Sequence, residues 1–382
     1  MFLTKKRTKP AVFCRAGLPV LIVMLAASPV HIAAQQPGST NPTVLDDVEA
    51  AFSRIETGGT HFTACASGVI PKPLYRSGLS NALFGLRNHF QGIQRLPQPG
   101  YLVISGANKQ ASDLFIVRLA EDGPQSNGCH GDVVARIEVD DELGHAGGLS
   151  MLGSILAVPL YRGSPRSAKV VFYDLADPQA PRRMPVEIAR PGRKATATAL
   201  TRLKNGHYLV AVLSAWDRQP RRLDFYLSRT TVLDQGFHSE PVSWHGSSVD
   251  ARPGQDREFS HFQAINFIPQ ADGRLYLVGF HNSTGPQTIL PGRDYADLYE
   301  VVLPAATTQG DEPMLQMPAV TKVANRMFRC KERFCSFGAA AGLFIDPITQ
   351  AMSVYSTPGW LDGDAMKITF YPSVSGKPFT AR

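Results

Sequence analysis

Short apolar runs broken by Gly, Pro, Asn and Asp recur through most of the chain, and they predict strands rather than helices. Residues 90–96 form one run, Pro97-Gln98-Pro99-Gly100 a turn, and residues 101–105, 113–119 and 133–139 three more runs. Strand, tight turn, strand, loop, strand, loop, strand is the order of a four-stranded antiparallel meander. Comparable sets follow at 148–152, 155–159, 169–175 and 184–188, at 197–203, 208–214, 222–227 and 241–244, and at 262–268, 275–280, 296–303 and 315–323. A fifth set, at 340–345, 352–356 and 366–371, has only three strands. The exception is residues 44–55, where Val44, Leu45, Val48, Ala51, Phe52 and Ile55 fall at helical spacing. Thr43 is the predicted N-cap there, with Asp46 and Asp47 in the first turn.

The first strand of each set carries a recurring phrase. His89-Phe90-Gln91-Gly92-Ile93-Gln94-Arg95-Leu96 is matched by His261-Phe262-Gln263-Ala264-Ile265-Asn266-Phe267-Ile268. His145-Ala146-Gly147-Gly148-Leu149-Ser150-Met151-Leu152 is a looser copy, and the weakest begin at Thr196 and Gly338. Successive copies start 56, 51, 65 and 77 residues apart, with the extra length in loops around 246–256 and 284–294 and in an insertion carrying two cysteines. A repeat on this scale predicts an array of like sheets, which also explains how so long a chain avoids one oversized core.

With this strand pattern and a unit count of five, residues 60–375 resemble the secreted bacterial β-propeller proteins in the broad sense of the architecture. The resemblance implies an all-β propeller of five four-stranded blades, or six if residues 43–88 form a further one. The three-stranded last blade is then closed by an N-terminal strand drawn from residues 60–78. Five spaced repeats argue against a two-sheet sandwich. No WD or kelch signature is present, so no closer family and no catalytic residue is carried over.

The ends and the charge refine this picture. Lys5, Lys6, Arg7, Lys9 and Arg15 precede a short apolar stretch at 18–27, and Ala33-Ala34 is a cleavage point, the layout of a signal peptide over residues 1–34. The stretch is shorter than the roughly 20 apolar residues of a membrane span. Residues 35–59 are expected to be a polar linker with a short helix, and residues 60–382 a single propeller domain. The leader holds five of the 39 Lys and Arg and none of the 32 Asp and Glu, leaving 34 against 32. The basic balance is thus a targeting feature, and nucleic acid is excluded as a partner. Arg182, Arg183, Arg190, Arg193 and Lys194 read as a solvated loop. A periplasmic or secreted monomer without a stable membrane span is expected. Cys65, Cys129, Cys330 and Cys335 remain after the leader; Cys330–Cys335 and Cys65–Cys129 are the favoured disulfides, and zinc binding is the competing reading.

Candidate chemistry follows from strand direction. In every meander the start of the first strand and the end of the second lie on one face of the disc, so His89, His145 and His261 should gather at one mouth of the central channel. Asn108, Tyr161, Trp216, Asp217, His281 and Asn282 join them from the second strands, and Gln91 and Gln263 lie two residues inside their histidines. Three roles compete. The imidazoles fasten the loops that enter each blade, or contact a small molecule, glycan or envelope protein, or hold a divalent metal through His89, His145 and His261. No other cofactor is expected. A ligand-binding propeller is the favoured function; the alternative is a hydrolase or lyase using His with neighbouring polar residues, with or without the assistance of a metal. Asp362-Gly363-Asp364 reads as a hairpin turn rather than a calcium loop.

Overall fold

Every predicted meander is present, and its strands follow one another along the chain. The computed structural model describes residues 41–66, 68–70, 89–107, 111–120, 123–162, 167–214, 221–283, 293–304, 307–309, 312–331 and 334–374, all within one unit, Ala34–Arg382. The described chain enters through a short helix, α1 (Val48–Ser53), and a strand, β1 (Thr60–Cys65). Blade one is β2 (His89–Arg95), β3 (Tyr101–Ala107), β4 (Ser112–Leu119) and β5 (Gly131–Asp140). Blade two has an interrupted inner strand, β6 (His145–Ala146) and β7 (Ser150–Leu152), then β8 (Ile155–Arg162), β9 (Ser167–Asp174) and β10 (Arg182–Pro191). Blade three is β11 (Ala197–Arg202), β12 (Tyr208–Ser214), β13 (Arg222–Leu227) and β14 (Val242–His245). The short β15 (Asp250–Ala251) then crosses to the outer edge of blade four. That blade holds β16 (Ala264–Pro269), β17 (Leu275–Asn282) and β18 (Asp294–Val302); the hairpin β19 (Thr307–Gln309) and β20 (Glu312–Met314) precedes its outer strand β21 (Ala319–Phe328). Blade five is β22 (Ala340–Ile345), β23 (Met352–Thr357) and β24 (Ala365–Tyr371).

The missing fourth strand of blade five is β1. It pairs antiparallel with β24, Thr60 opposite Phe370 and Cys65 opposite Ala365. Its last two residues also run parallel to β5 of blade one, and Cys65–Cys129 fastens the same seam. Cys330–Cys335 closes the second disulfide, so the four cysteines are paired as expected and are not a zinc site.

Apolar packing closes the ring. Blades one and two share a cluster including Leu114, Ile116, Leu156 and Val158; blades two and three share Val170, Phe172, Val210 and Tyr226; blades three and four share Leu223, Phe225, Ile265 and Leu277. Blades four and five meet through Tyr276, Val278, Leu343 and Val354, and blades five and one through Phe90, Ile104, Ile368 and Phe370. A row of five blades would have four seams; a fifth seam requires a ring. Middle strands lie between two neighbours, so the first six residues of both β8 and β12 are buried in succession. The outer strand β10 keeps a two-residue alternation, because part of one face meets water.

Two expectations at the periphery need correction. The helix is shorter than predicted and is capped by Asp47, whose carboxylate accepts the Ala50 N–H at 2.9 Å, rather than by Thr43. Leu45, Val48, Phe52 and Ile55 are buried in the seam of blades four and five, so residues 41–59 include part of the core. The basic stretch near residue 190 is not a solvated loop. Residues 182–191 are a strand, and Arg190 is among the largest fully buried side chains. It donates to Asp224 Oδ2 at 2.7 Å, Tyr226 Oη at 2.8 Å, Ser214 Oγ at 2.8 Å and the Lys194 carbonyl, pinning blade two to blade three. Its neighbours along the strand alternate out to water, which hid it within a basic run.

The axis is not an open channel. The inner strands meet at mid-height, where Gly148 N–H donates to Thr196 O at 2.9 Å and Thr198 N–H returns a bond to Gly148 O at 3.1 Å. A Cβ on Gly148 would stand 2.2 Å from Gln263 O, and one on Gly342 would stand 1.6 Å from Ile93 O. Only glycine permits that approach. Amides fill what backbone does not: Gln94 Nε2 donates to Leu149 O at 2.9 Å and Asn266 Oδ1 at 3.3 Å. A cavity remains beyond this plug, where the inner strands finish.

Candidate functional site

The histidine-bearing end is assembled where the inner strands begin. A bulge opposite β3 lies between Phe90 and Gly92, and Gln91 sits in it. A bulge re-aims its side chain, here toward the axis. His145 stands on β6, opposite Ala107 of β3 and Tyr161 of β8, and so reaches across to blade one. The His89 and His145 rings are 5.1 Å apart at 66°, and the His145 and Tyr161 rings 4.3 Å apart. Lys194 lies 6.0 Å above the Tyr161 ring.

Gln91 ties this group together. Gln263 Nε2 donates to Gln91 Oε1, and to the Gln91 carbonyl at 3.2 Å, which fixes the Gln91 amide orientation. Its NH2 therefore faces the imidazoles and bonds His89 Nε2 and, at 2.9 Å, His145 Nε2. An amide NH2 only donates, so both ring nitrogens are placed as acceptors in this arrangement. A nitrogen lone pair engaged this way is withheld from a metal. Among the described residues no three His, Cys, Asp or Glu side chains gather as metal ligands. The expected trio is thus divided: His89 and His145 converge on the Gln91 amide, and His261 stands on another blade.

His261 belongs to a second group on blade four. It precedes β16, and burial, with Arg221 and His281 nearby, lowers its pKa against the opposing pull of Glu258. His281, on β17, stacks on Tyr295 and brings Nε2 within 3.2 Å of Asp297 Oδ2. The contact lies within ion-pair reach but off the line of a good hydrogen bond. Asp297 is fully buried and also meets Lys322 Nζ at 3.2 Å, Tyr299 Oη at 3.2 Å and Asn325 Nδ2. Burial alone would raise its pKa; His281, Lys322 and Asn325 outweigh that and hold it low. Asp294, three residues earlier on β18, goes the other way. Burial pushes its pKa up to about 6, even though its Oδ1 accepts from Phe337 N at 2.7 Å and Asn282 Nδ2 at 3.1 Å.

The candidates therefore separate by role. His89, Gln91, His145, Tyr161 and Gln263 form one connected cluster from blades one, two and four. His261 is joined to it through Gln263, two residues on. His281 and Asn282 face the buried acids of their own blade, and Asn282 has a structural bond to Asp294. Asn108, Trp216 and Asp217 lie outside the described residues. Asp297 and Lys322 were missed, although an acid in the middle of the apolar run Tyr295–Val302 is a readable sign of a buried pair. Asp362-Gly363-Asp364 is a turn, as expected, with Gly363 at φ 65° and Asp362 N–H bonded to Ala365 O.

No family model and no curated protein matches the chain. Among solved structures it is similar to the phage phi92 endosialidase (9% identity, TM-score 0.36), over 80% of this chain and 60% of that one. It is also similar to a GH43_1 enzyme from Xanthomonas citri (12% identity, TM-score 0.41), over 77% of this chain and 91% of that one. A third likeness is to Penicillium chrysogenum α-L-arabinanase complexed with arabinobiose (10% identity, TM-score 0.41), over 82% and 97%. Likeness at this level says nothing of activity, and the propeller architecture rests on the strand order and the five seams.

Proposed function

We propose that this is an exported propeller whose histidine-bearing end binds a small hydroxyl-rich ligand of the glycan class. The observation that carries the reading is the convergence of His89, His145, Tyr161 and Gln91 from two blades, held by Gln263 from a third. Imidazole and amide groups exchange hydrogen bonds with hydroxyls, and the Tyr161 ring offers an apolar face to sugar C–H groups. The closed axis beneath supplies a floor. The two disulfides fit an oxidising compartment.

One observation favours a second reading, acid–base catalysis. The His281 imidazole lies 3.2 Å from the buried Asp297 carboxylate, close enough to stabilise an imidazolium formed during proton transfer, although off the line of an orienting hydrogen bond. An array of neutral and acidic oligosaccharides, followed by calorimetric titration of the best binder, tests the first reading. H145A and Y161A should each weaken binding at least tenfold with melting nearly unchanged. Binding that survives both, or melting that collapses with both, would overturn it in favour of an architectural role. Turnover of the bound sugar that vanishes in H281A would establish the second reading.

A further inference from the structure

We propose that the depression at the opposite end of the axis is a second ligand site, which takes a small amphipathic molecule with an apolar body and one anionic end. The site is a cavity of about 430 Å³ lined by all five blades where their inner strands finish. That volume suits a compact organic molecule. Met151, Leu200, Phe344 and Ile348 make its walls largely apolar.

Thr201, Gln98 and Arg95 are polar residues in these walls, and Arg95 is the one that points to an occupant. Thr201 is 1% exposed and its hydroxyl has no hydrogen-bond partner. Gln98 spends its amide N–H groups on the carbonyls of Leu175 (3.1 Å) and Ala176 (2.6 Å), which leaves its Oε1 buried with no donor. Arg95 lies over the Phe344 ring at 4.3 Å and reaches Tyr355 Oη only at 3.5 Å. Among the described residues no carboxylate stands within ion-pair distance of Arg95. Asp346, the acid that acts electrostatically on Tyr355, spends Oδ1 on the N–H groups of Ile348 (2.9 Å) and Thr349 (3.0 Å). A half-buried guanidinium beside an apolar wall matches an anionic group on an apolar body.

The test uses the whole chain and two fluorescent probes with nearly the same aromatic body. 1-Anilinonaphthalene-8-sulfonate carries the anion and N-phenyl-1-naphthylamine lacks it. The expected result is saturable binding of both at one site per chain. R95Q should weaken the sulfonate at least tenfold and the neutral probe less than threefold. M151W, which fills the cavity from a partly buried position, should abolish both. I348E, at a position 55% exposed and therefore safe for folding, should weaken the sulfonate by charge repulsion. H145A, at the other end of the axis, should change neither. Sulfonate binding that is unaltered in R95Q and I348E, or lost in H145A, would overturn the proposal. Failure of glycan binding at the histidine end leaves these outcomes untouched, so the two readings stand or fall separately.

Discussion

Replacing Asp224 by Ala should cost about 4 kcal/mol, and removing Arg190 as well should give part of that back. Asp224 is fully buried and faces Arg190 at 2.7 Å, Arg222 at 3.0 Å and Arg193 at 3.6 Å, with Ser243 Oγ at 2.6 Å. Arg193 and Arg222 are 31% and 27% exposed and can turn to water when the carboxylate is lost, whereas Arg190 has 0% exposure and cannot. Leaving one buried charge uncompensated costs roughly 3–5 kcal/mol. In R190M/D224A no stranded charge remains. Ser214 Oγ still donates to the Lys194 carbonyl at 3.0 Å, so that acceptor stays satisfied. The double variant should therefore be more stable than D224A by at least about 1 kcal/mol, a coupling that simple addition of two losses forbids. Urea unfolding of the wild type, both single variants and the double variant, compared at constant slope, measures this. A D224A loss below about 1 kcal/mol, or a double variant as unstable as the sum of the singles, would refute the account of a trapped charge.

Other features give independent tests. Cys65–Cys129 encloses 64 residues, so C65S/C129S should lose about 4 kcal/mol on the chain-entropy model, against about 2 kcal/mol for C330S/C335S; melting of each pair checks the order, and a reversal contradicts it. The pKa of Asp294 is raised in the folded state to about 6, so its contribution to stability is full below about pH 4 and lost as pH rises through 6. D294N should be more stable than wild type at pH 8 by about 2–3 kcal/mol, with the difference shrinking toward pH 4, and a gap that does not change with pH would dismiss it. In G342A the new methyl meets the Ile93 carbonyl, fixed backbone that cannot yield, so a loss of more than about 2 kcal/mol or failure to fold is expected; near-wild-type melting would show that the inner strands are looser than described.

The ring was legible because the repeat is internal to the sequence. The His-Phe-Gln phrase marked inner strands, and a three-stranded last set demanded a partner, which β1 supplies. What escaped notice was set by neighbours distant in sequence. Middle strands such as β8 show an unbroken apolar run because both faces are covered, so nothing local says which side chain faces the axis. Arg190 read as surface because its counterion, Asp224, belongs to the next blade. Equivalent positions placed His89 and His145 together, but the symmetry broke at His261, which lies ahead of its strand rather than in it. The opposite cavity carried no signal at all: Arg95, Thr201 and Phe344 are unremarkable strand residues until five blades bring their ends around one axis.

The strand that completes the ring is among the first described residues to be synthesised and the last to be used. Thr60 must wait for Phe370, so an unfinished chain carries that edge of β1 bare until β24 is available. A product truncated before residue 365 therefore exposes both that edge and the apolar seam holding Phe90 and Ile104. Bare strand edges and uncovered apolar seams invite association between chains, so a truncated product is expected to aggregate where the full chain folds.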